Sequence, residues 1–261
     1  MNTLKRGSEG ESVKVLQKAL GITADGIFGK QTERAVKVWQ AEHGLVSDGI
    51  VGPKTWEALQ IQTDDIGIIP AYISTHITKA KRQVKYIAVH YTAGGSSKAG
   101  SAKAVRNVFL QPKRRASADF VVDDKTIVQI NPNLNNYYTW SVGDKKNPYS
   151  GGGTYYGMAT NRNTISIEIC SNLRKGYDPN IPNHEGWYFT EASLQNATKL
   201  VRWLLKRFGL SKTAVIRHYD VSGKLCPGII GWNDGVIYSA TGKQTAEKNN
   251  SLEWQKFWAQ I

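Results

Sequence analysis

The 261 residues are 40% hydrophobic, 21% charged and 10% aromatic, which excludes a disordered or collagen-like polymer and suffices for one or two domains with a buried core. No apolar run reaches the roughly 18 residues of a membrane-spanning helix, the first ten residues do not read as a secretory signal, and Cys170 and Cys226 are too few for a disulfide scaffold, so synthesis in the cytosol is expected. Residues 1–62 carry a net charge of +1 and the remainder +12, a balance that suits either a polyanionic partner (nucleic acid, an anionic membrane or a phosphate-rich envelope) or plain solubility.

The N-terminal segment contains an internal repeat. Ala24-Asp-Gly-Ile-Phe-Gly29-Lys-Gln-Thr32 returns 23 residues later as Ser47-Asp-Gly-Ile-Val-Gly52-Pro-Lys-Thr55. Each copy reads as an Asp-Gly turn followed by a glycine that leads into a helix. Ser8 and Glu11 have capping-box spacing, and Val13, Leu16 and Leu20 then share a helical face that Gly21 ends. A second helix should carry Ala35, Val36 and Trp39, and a short third Trp56 and Leu59. This pattern, with the Gly7–Gly10 entry and the "Leu-Gln-Lys-Ala-Leu-Gly" helix, resembles the peptidoglycan-binding domain found at one end of many cell-wall hydrolases. The resemblance covers about residues 4–60 and implies a small three-helix wall-binding domain. The same glycines would equally shape a helical bundle that binds nothing.

We therefore expect a first domain over residues 1–62. A linker follows over 63–83, marked by Asp64-Asp65, Gly67, Pro70 and Lys79–Arg82, and its Ile66, Ile68, Ile69 and Ile73 should pack on a neighbour. The remainder, 84–261, forms a second domain. There, β-rich runs at Tyr86–Thr92, Ala118–Val122, Thr126–Ile130, Thr164–Cys170 and Ala214–His218 alternate with a helix. That helix has Leu194, Ala197, Val201, Leu204, Leu205 and Phe208 on one stripe and Gly209 after it, and a terminal helix carries Leu252, Trp254, Phe257 and Trp258. The fold class is α/β: a mixed sheet with helices packed on it.

Two of the five histidines close strand-like runs. His90 ends "Tyr-Ile-Ala-Val-His" and His218 ends "Ala-Val-Ile-Arg-His", with Cys226 eight residues further on in a loop marked by glycine and proline. Two imidazoles and a thiolate are good zinc ligands, and a catalytic zinc takes three protein ligands while keeping one open position. Spacing alone does not bring His90 to a residue 128 positions away. Taken singly, each histidine reads first as a hydrogen-bonded core or surface residue, and Cys226 as a small buried hydrophobe. The sequence "Val-His-Tyr-Thr-Ala-Gly", then "Asn-Thr-Ile-Ser-Ile-Glu-Ile-Cys", then "Arg-His-Tyr-Asp-Val-Ser-Gly-Lys-Leu-Cys-Pro-Gly" resembles the zinc N-acetylmuramoyl-L-alanine amidases. That family includes phage endolysins and is related to peptidoglycan recognition proteins. The resemblance covers about residues 84–232.

The resemblance implies Zn²⁺ bound by His90, His218 and Cys226, and hydrolysis of the amide between N-acetylmuramic acid and L-alanine. It also matches Glu168 to the family's catalytic glutamate and Lys224 to a lysine able to steady the developing oxyanion. The bland alternatives are an outward-facing glutamate on a half-exposed strand and one more solvated lysine. Ala118 stands where one branch of the family has a catalytic tyrosine, and Trp140-Ser141-Val142-Gly143 stands where many members have "Trp-His-Ala-Gly". Among Tyr137, Tyr138, Trp140, Tyr149, Tyr155, Tyr156, Tyr177, Trp187 and Tyr188, some rings should line a groove for sugar and peptide, although each ring alone reads first as packing. Cys170 should fill the interior, and His43, His76 and His184 receive no role.

The partner expected is peptidoglycan, with no nucleic acid and no membrane insertion. The localisation expected is cytoplasmic synthesis followed by holin-mediated release onto the wall, as for an endolysin. The competing readings are a binding-only peptidoglycan recognition protein, which would have lost a metal ligand, and a basic nucleic-acid-binding protein, for which no recognised motif is present.

Overall fold

The computed structural model describes residues 3–59, 66–92, 101–143, 153–181, 184–234, 236–238, 244–248 and 251–261. The chain divides into two compact units, Met1–Asp65 and Ile66–Ile261. No helix among the described residues is long and apolar enough to cross a membrane.

The smaller unit contains α1 (Glu11–Ala19), α2 (Lys30–Glu42) and α3 (Pro53–Ala58) around Leu4, Val13, Leu16, Phe28, Val36, Val51 and Trp56. Ser8 is not the cap of α1. Its Oγ accepts from Lys5 N, and Gly10, at φ 107°, occupies the cap position with no side-chain hydrogen bond. Ser8 is diverted because its carbonyl takes the N–H of Phe28 while Gly10 N donates to Gly26 O, which lays the entering chain along the first Asp-Gly turn. Each repeat is held by one buried glutamine. Gln17 Nε2 donates to Asp25, Ile27 O and Thr32 Oγ1, and its Oε1 accepts from Gly26 N. Gln40 makes the same four contacts with Asp48, Ile50 O, Thr55 and Gly49 N. The Asp-Gly glycines have φ of 81° at Gly26 and 76° at Gly49, a region that favours glycine.

The larger unit is organised by a six-stranded mixed sheet. In chain order its elements are β1 (Ile68–Pro70), β2 (Ile77–Lys79), β3 (Tyr86–Tyr91), α4 (Ala102–Phe109), β4 (Phe120–Val122), β5 (Ile127–Gln129), β6 (Tyr137–Thr139), β7 (Thr164–Ile169), β8 (Asn172–Leu173) and β9 (Trp187–Tyr188). These are followed by α5 (Glu191–Phe208), β10 (Val215–Arg217), α6 (His218–Ser222), β11 (Val236–Tyr238), β12 (Gln244–Lys248) and α7 (Leu252–Ala259). The sheet order is β1-β5-β4-β7-β3-β10, antiparallel only between β4 and β5. The stretch expected as a linker is therefore largely structure. Residues 66–79 supply β1 at the sheet edge and β2 against β6, and Ile73 is buried, while Asp64-Asp65 lie outside the described residues. Apolar spacing drew this segment in, because Ile68 and Ile73 pack into the cores on the sheet.

Alternation along the strands separates two faces. Ile87, Val89 and Tyr91 of β3 and Ile165, Ile167 and Ile169 of β7 pack in one core with Ala197, Leu200, Val201 and Leu204 of α5. The intervening residues, including His90, Ser166 and Glu168, belong to the other face. An apolar surface on one side of the central strands thus leaves the opposite side available for polar groups.

Candidate metal centre and active site

His90 is the fifth residue of β3, and Glu168 is its register partner on the parallel strand β7. Register partners present their side chains to the same face, so the sheet places an imidazole beside a carboxyl near the carboxyl ends of the central strands. The third residue arrives differently from expectation. His218 does not close a strand; β10 ends at Arg217 and His218 opens α6. The switch is enforced by Asp220, whose carboxylate accepts from Arg217 N and pairs with the Arg217 guanidinium at 2.6 Å. Arg217 also donates to Trp232 O and Ser251 Oγ, tying this corner to later loops. Cys226 returns over the start of α6, its carbonyl accepting from Tyr219 N.

The three donors converge. One ligand atom from each of His90, His218 and Cys226 lies within 4.8 Å of the others, and all three residues are buried. Cys226 Sγ stands 3.7 Å from His90 Nδ1. Two ligands of one tetrahedral zinc, at about 2.3 Å for sulfur and about 2.0 Å for nitrogen, would stand about 3.5 Å apart. His218 Nε2 lies 3.1 Å from Val142 O, which makes that nitrogen the protonated one, and His218 Nδ1 is buried with no hydrogen-bond partner. His90 Nε2 and Glu168 Oε2 are likewise buried and unpartnered. Buried polar atoms are almost always paired. Arg82 Nε, Ser101 Oγ and Thr198 Oγ1 are also without a hydrogen-bond partner, but the open His218 Nδ1 sits on a ring 4.7 Å from that of His90 and within the His90–His218–Cys226 group, where it fits a metal ligand.

The electrostatics fit the same donor set. Burial, then the charges of His218 and Lys224, holds His90 well below the ordinary imidazole range. Burial and Lys224 take His218 down to about 4, against the hydrogen bond to Val142. Both rings are thus neutral at pH 7, the form that binds metal. Burial raises Cys226 to about 12, with the negative charge of Glu168 adding to the effect, so the thiol keeps its proton until a cation displaces it. Glu168 is only half-buried as a residue, yet its Oε2 is dry, and burial lifts its pKa to about 7 while Lys224 and Arg114 oppose the rise. Lys224 is exposed, and its charge reaches both histidines, Glu168 and Cys226.

Residues 80–229 match the sequence family described as N-acetylmuramoyl-L-alanine amidase, and residues 9–59 match a peptidoglycan binding domain family. The chain belongs to the amidase family. It is 34% identical over 146 residues to the N-acetylmuramoyl-L-alanine amidase CwlL of Bacillus licheniformis, covering 55% of this chain and 36% of that one. It is 33% identical over 142 residues to the amidase CwlH of Bacillus subtilis, covering 54% and 46%. The chain therefore spans less than half the length of these curated relatives. Among solved structures, a mutant endolysin from Bacillus subtilis is 27% identical, with a TM-score of 0.49 over 74% of this chain and 97% of that one. A Burkholderia AP3 phage endolysin is 45% identical over 23% of this chain and 25% of that one, with a TM-score of 0.22.

In this amidase-family chain, the remaining sequence candidates take mixed places. Ala118 is fully buried in the core beside α4 and offers no chemistry. Trp187 is core, stacked on His184, which in turn stacks on Tyr177. Tyr155 packs edge-on against Tyr86, and Arg174 lies over Tyr188. Trp140 and Tyr156 keep exposed faces, and Tyr149 lies outside the described residues. His43 stacks on Trp39, His76 bonds Phe109 O, and His184 is buried with bonds to Asp178 O and Gly186 N. Cys170 is interior, with burial raising its thiol to about 12. Two groups were not among the sequence candidates for the site: Arg114, which stands in the basic run Lys113-Arg114-Arg115 and whose charge reaches Glu168, and the backbone carbonyl of Val142.

Proposed function

We propose that the chain is a zinc-dependent cell-wall hydrolase of the endolysin type, cleaving the amide between N-acetylmuramic acid and L-alanine of peptidoglycan. His90 and His218 would hold Zn²⁺ as neutral imidazoles and Cys226 as a thiolate, giving a site of net charge +1. Bound there, zinc supplies Lewis acidity toward the scissile carbonyl and toward water. Glu168, dry and with a pKa near 7, takes a proton from the attacking water and delivers it to the departing alanine nitrogen as the C–N bond breaks. Lys224 steadies the negative charge that gathers on the carbonyl oxygen. The observation that supports this reading is the convergence of two buried imidazoles and a buried thiol, with the carboxyl of Glu168 on the register partner of His90.

The unit ending at Asp65 is proposed as the wall-binding domain, which raises the local concentration of substrate for the catalytic domain. Cytoplasmic accumulation and release through a holin complete the reading. Mass spectrometry of sacculi digested by the purified chain tests it. New L-alanine amino termini should appear, vanish with a chelator and return with Zn²⁺. New reducing sugar ends would contradict the bond assigned, and wall binding without any cleavage product would make the chain a recognition protein.

A further inference from the structure

The donor nitrogen of His218 is selected by a chain of contacts that starts outside the ligand set. His218 Nε2 faces Val142 O at 3.1 Å, and a carbonyl can only accept, so Nε2 carries the hydrogen and Nδ1 is left with its lone pair. Val142 lies in an irregular stretch, residues 140–143, that no strand supports. Ser117 holds Trp140, its N donating to Trp140 O at 3.0 Å and its Oγ accepting from Trp140 N at 3.1 Å, and one side-chain oxygen holds the three residues that follow. Asn161 Oδ1 accepts from Ser141 N at 2.9 Å, Val142 N at 2.9 Å and Gly143 N at 3.4 Å. Three converging N–H donors also settle the orientation of the Asn161 amide, because its nitrogen could accept none of them. The Val142 side chain is buried with Ala88, Ala159, Ile216 and Val221, and Ser141 Oγ contacts Ser166 Oγ on β7, so the stretch is fixed to the sheet at two further points.

We infer that Asn161 is a positioning residue: by clamping the three amides of 141–143 it aims the Val142 carbonyl at His218 and presets the imidazole as the Nε2–H tautomer, with Nδ1 open to a metal. Its consequence for zinc rests on the metal reading above; its consequence for the tautomer does not. Partners that orient a ligating histidine typically contribute about 10- to 100-fold to metal affinity. Asn161→Asp keeps an oxygen acceptor for all three amides, whereas Asn161→Ala removes it.

The test uses the full chain labelled with ¹⁵N-histidine. Two-bond ¹H–¹⁵N spectra of the metal-free protein report the His218 tautomer, and competition with a chromophoric chelator reports zinc affinity. Wild type and Asn161→Asp should show the Nε2–H pattern and affinities within about threefold of each other. Asn161→Ala should show mixed tautomers and zinc binding weaker by about 10- to 100-fold. Asn161→Ser, too short to span three amides, gives the same reading should the alanine variant not fold. Wild-type tautomer and affinity in the alanine and serine variants would overturn the inference. Mixed tautomers in those variants, with no zinc uptake even by wild type, would uphold the clamp and remove the metal reading.

Discussion

The glutamine hubs of the smaller unit and the candidate site of the larger one treat buried polar groups differently. In the smaller one, Gln17 and Gln40 sit in the interior with both ends of each amide occupied, by the same partner types at nearly the same distances. In the larger one, His90 Nε2, His218 Nδ1 and Glu168 Oε2 are buried and unpartnered on residues of the candidate site, as are Arg82 Nε, Ser101 Oγ and Thr198 Oγ1 elsewhere in the chain. An unmade hydrogen bond costs about 1–3 kcal/mol in a dry interior, so a fold keeps such groups only where something else completes them.

That contrast breaks most sharply at Glu168. Glu168→Gln preserves shape and removes the proposed proton acceptor, so zinc content should be unchanged while turnover on sacculi falls about 10²- to 10⁴-fold. Near-normal turnover in that variant would take Glu168 out of the mechanism.

The two regions should also answer pH with opposite signs. Glu168 has its pKa raised from 4.5 to about 7, so between those values the folded metal-free protein binds the extra proton, and stability falls as pH rises through the window. The shift corresponds to about 3 kcal/mol, and Glu168→Gln should therefore raise metal-free stability above pH 7 and have little effect below pH 4.5. Asp25 and Asp48 are depressed below 3.8, first by the backbone N–H groups of Ile27 and Ile50. Their contribution is present above 3.8 and is lost as pH falls through their lowered values. Denaturant melts across pH 2–9 with a probe in each unit distinguish the two slopes.

A smaller effect tests the equivalence of the two hubs. Gln17→Ala and Gln40→Ala each strand the N–H of Gly26 or Gly49 and the other partners, at about 1–3 kcal/mol. The two costs should agree within about 0.5 kcal/mol, and a large inequality in chemical melts would show that the repeats carry different loads.

Much of this was legible in the sequence, for reasons that differ by element. The 23-residue echo announced paired turns because Asp-Gly is demanded by a positive φ, at Gly26 and Gly49 alike. The stripe from Leu194 to Phe208 announced α5 because helical periodicity survives any tertiary context. Ser8 misled because capping-box spacing says nothing of a competing strand-like contact to Phe28. His218 was placed on a strand because the Arg217–Asp220 pairing that starts α6 early is a side-chain event with no periodic trace. Asn161 and Val142 O were invisible for a deeper reason: they act through backbone amides and a carbonyl that every residue possesses.

The metal centre itself is tested most directly by X-ray absorption at the zinc edge, on the full chain loaded with one equivalent of Zn²⁺. One sulfur at about 2.3 Å and two imidazole nitrogens at about 2.0 Å should surround the ion, and Cys226→Ser should lose the sulfur shell. Failure to take up zinc, or a sulfur shell that persists in Cys226→Ser, would contradict the account.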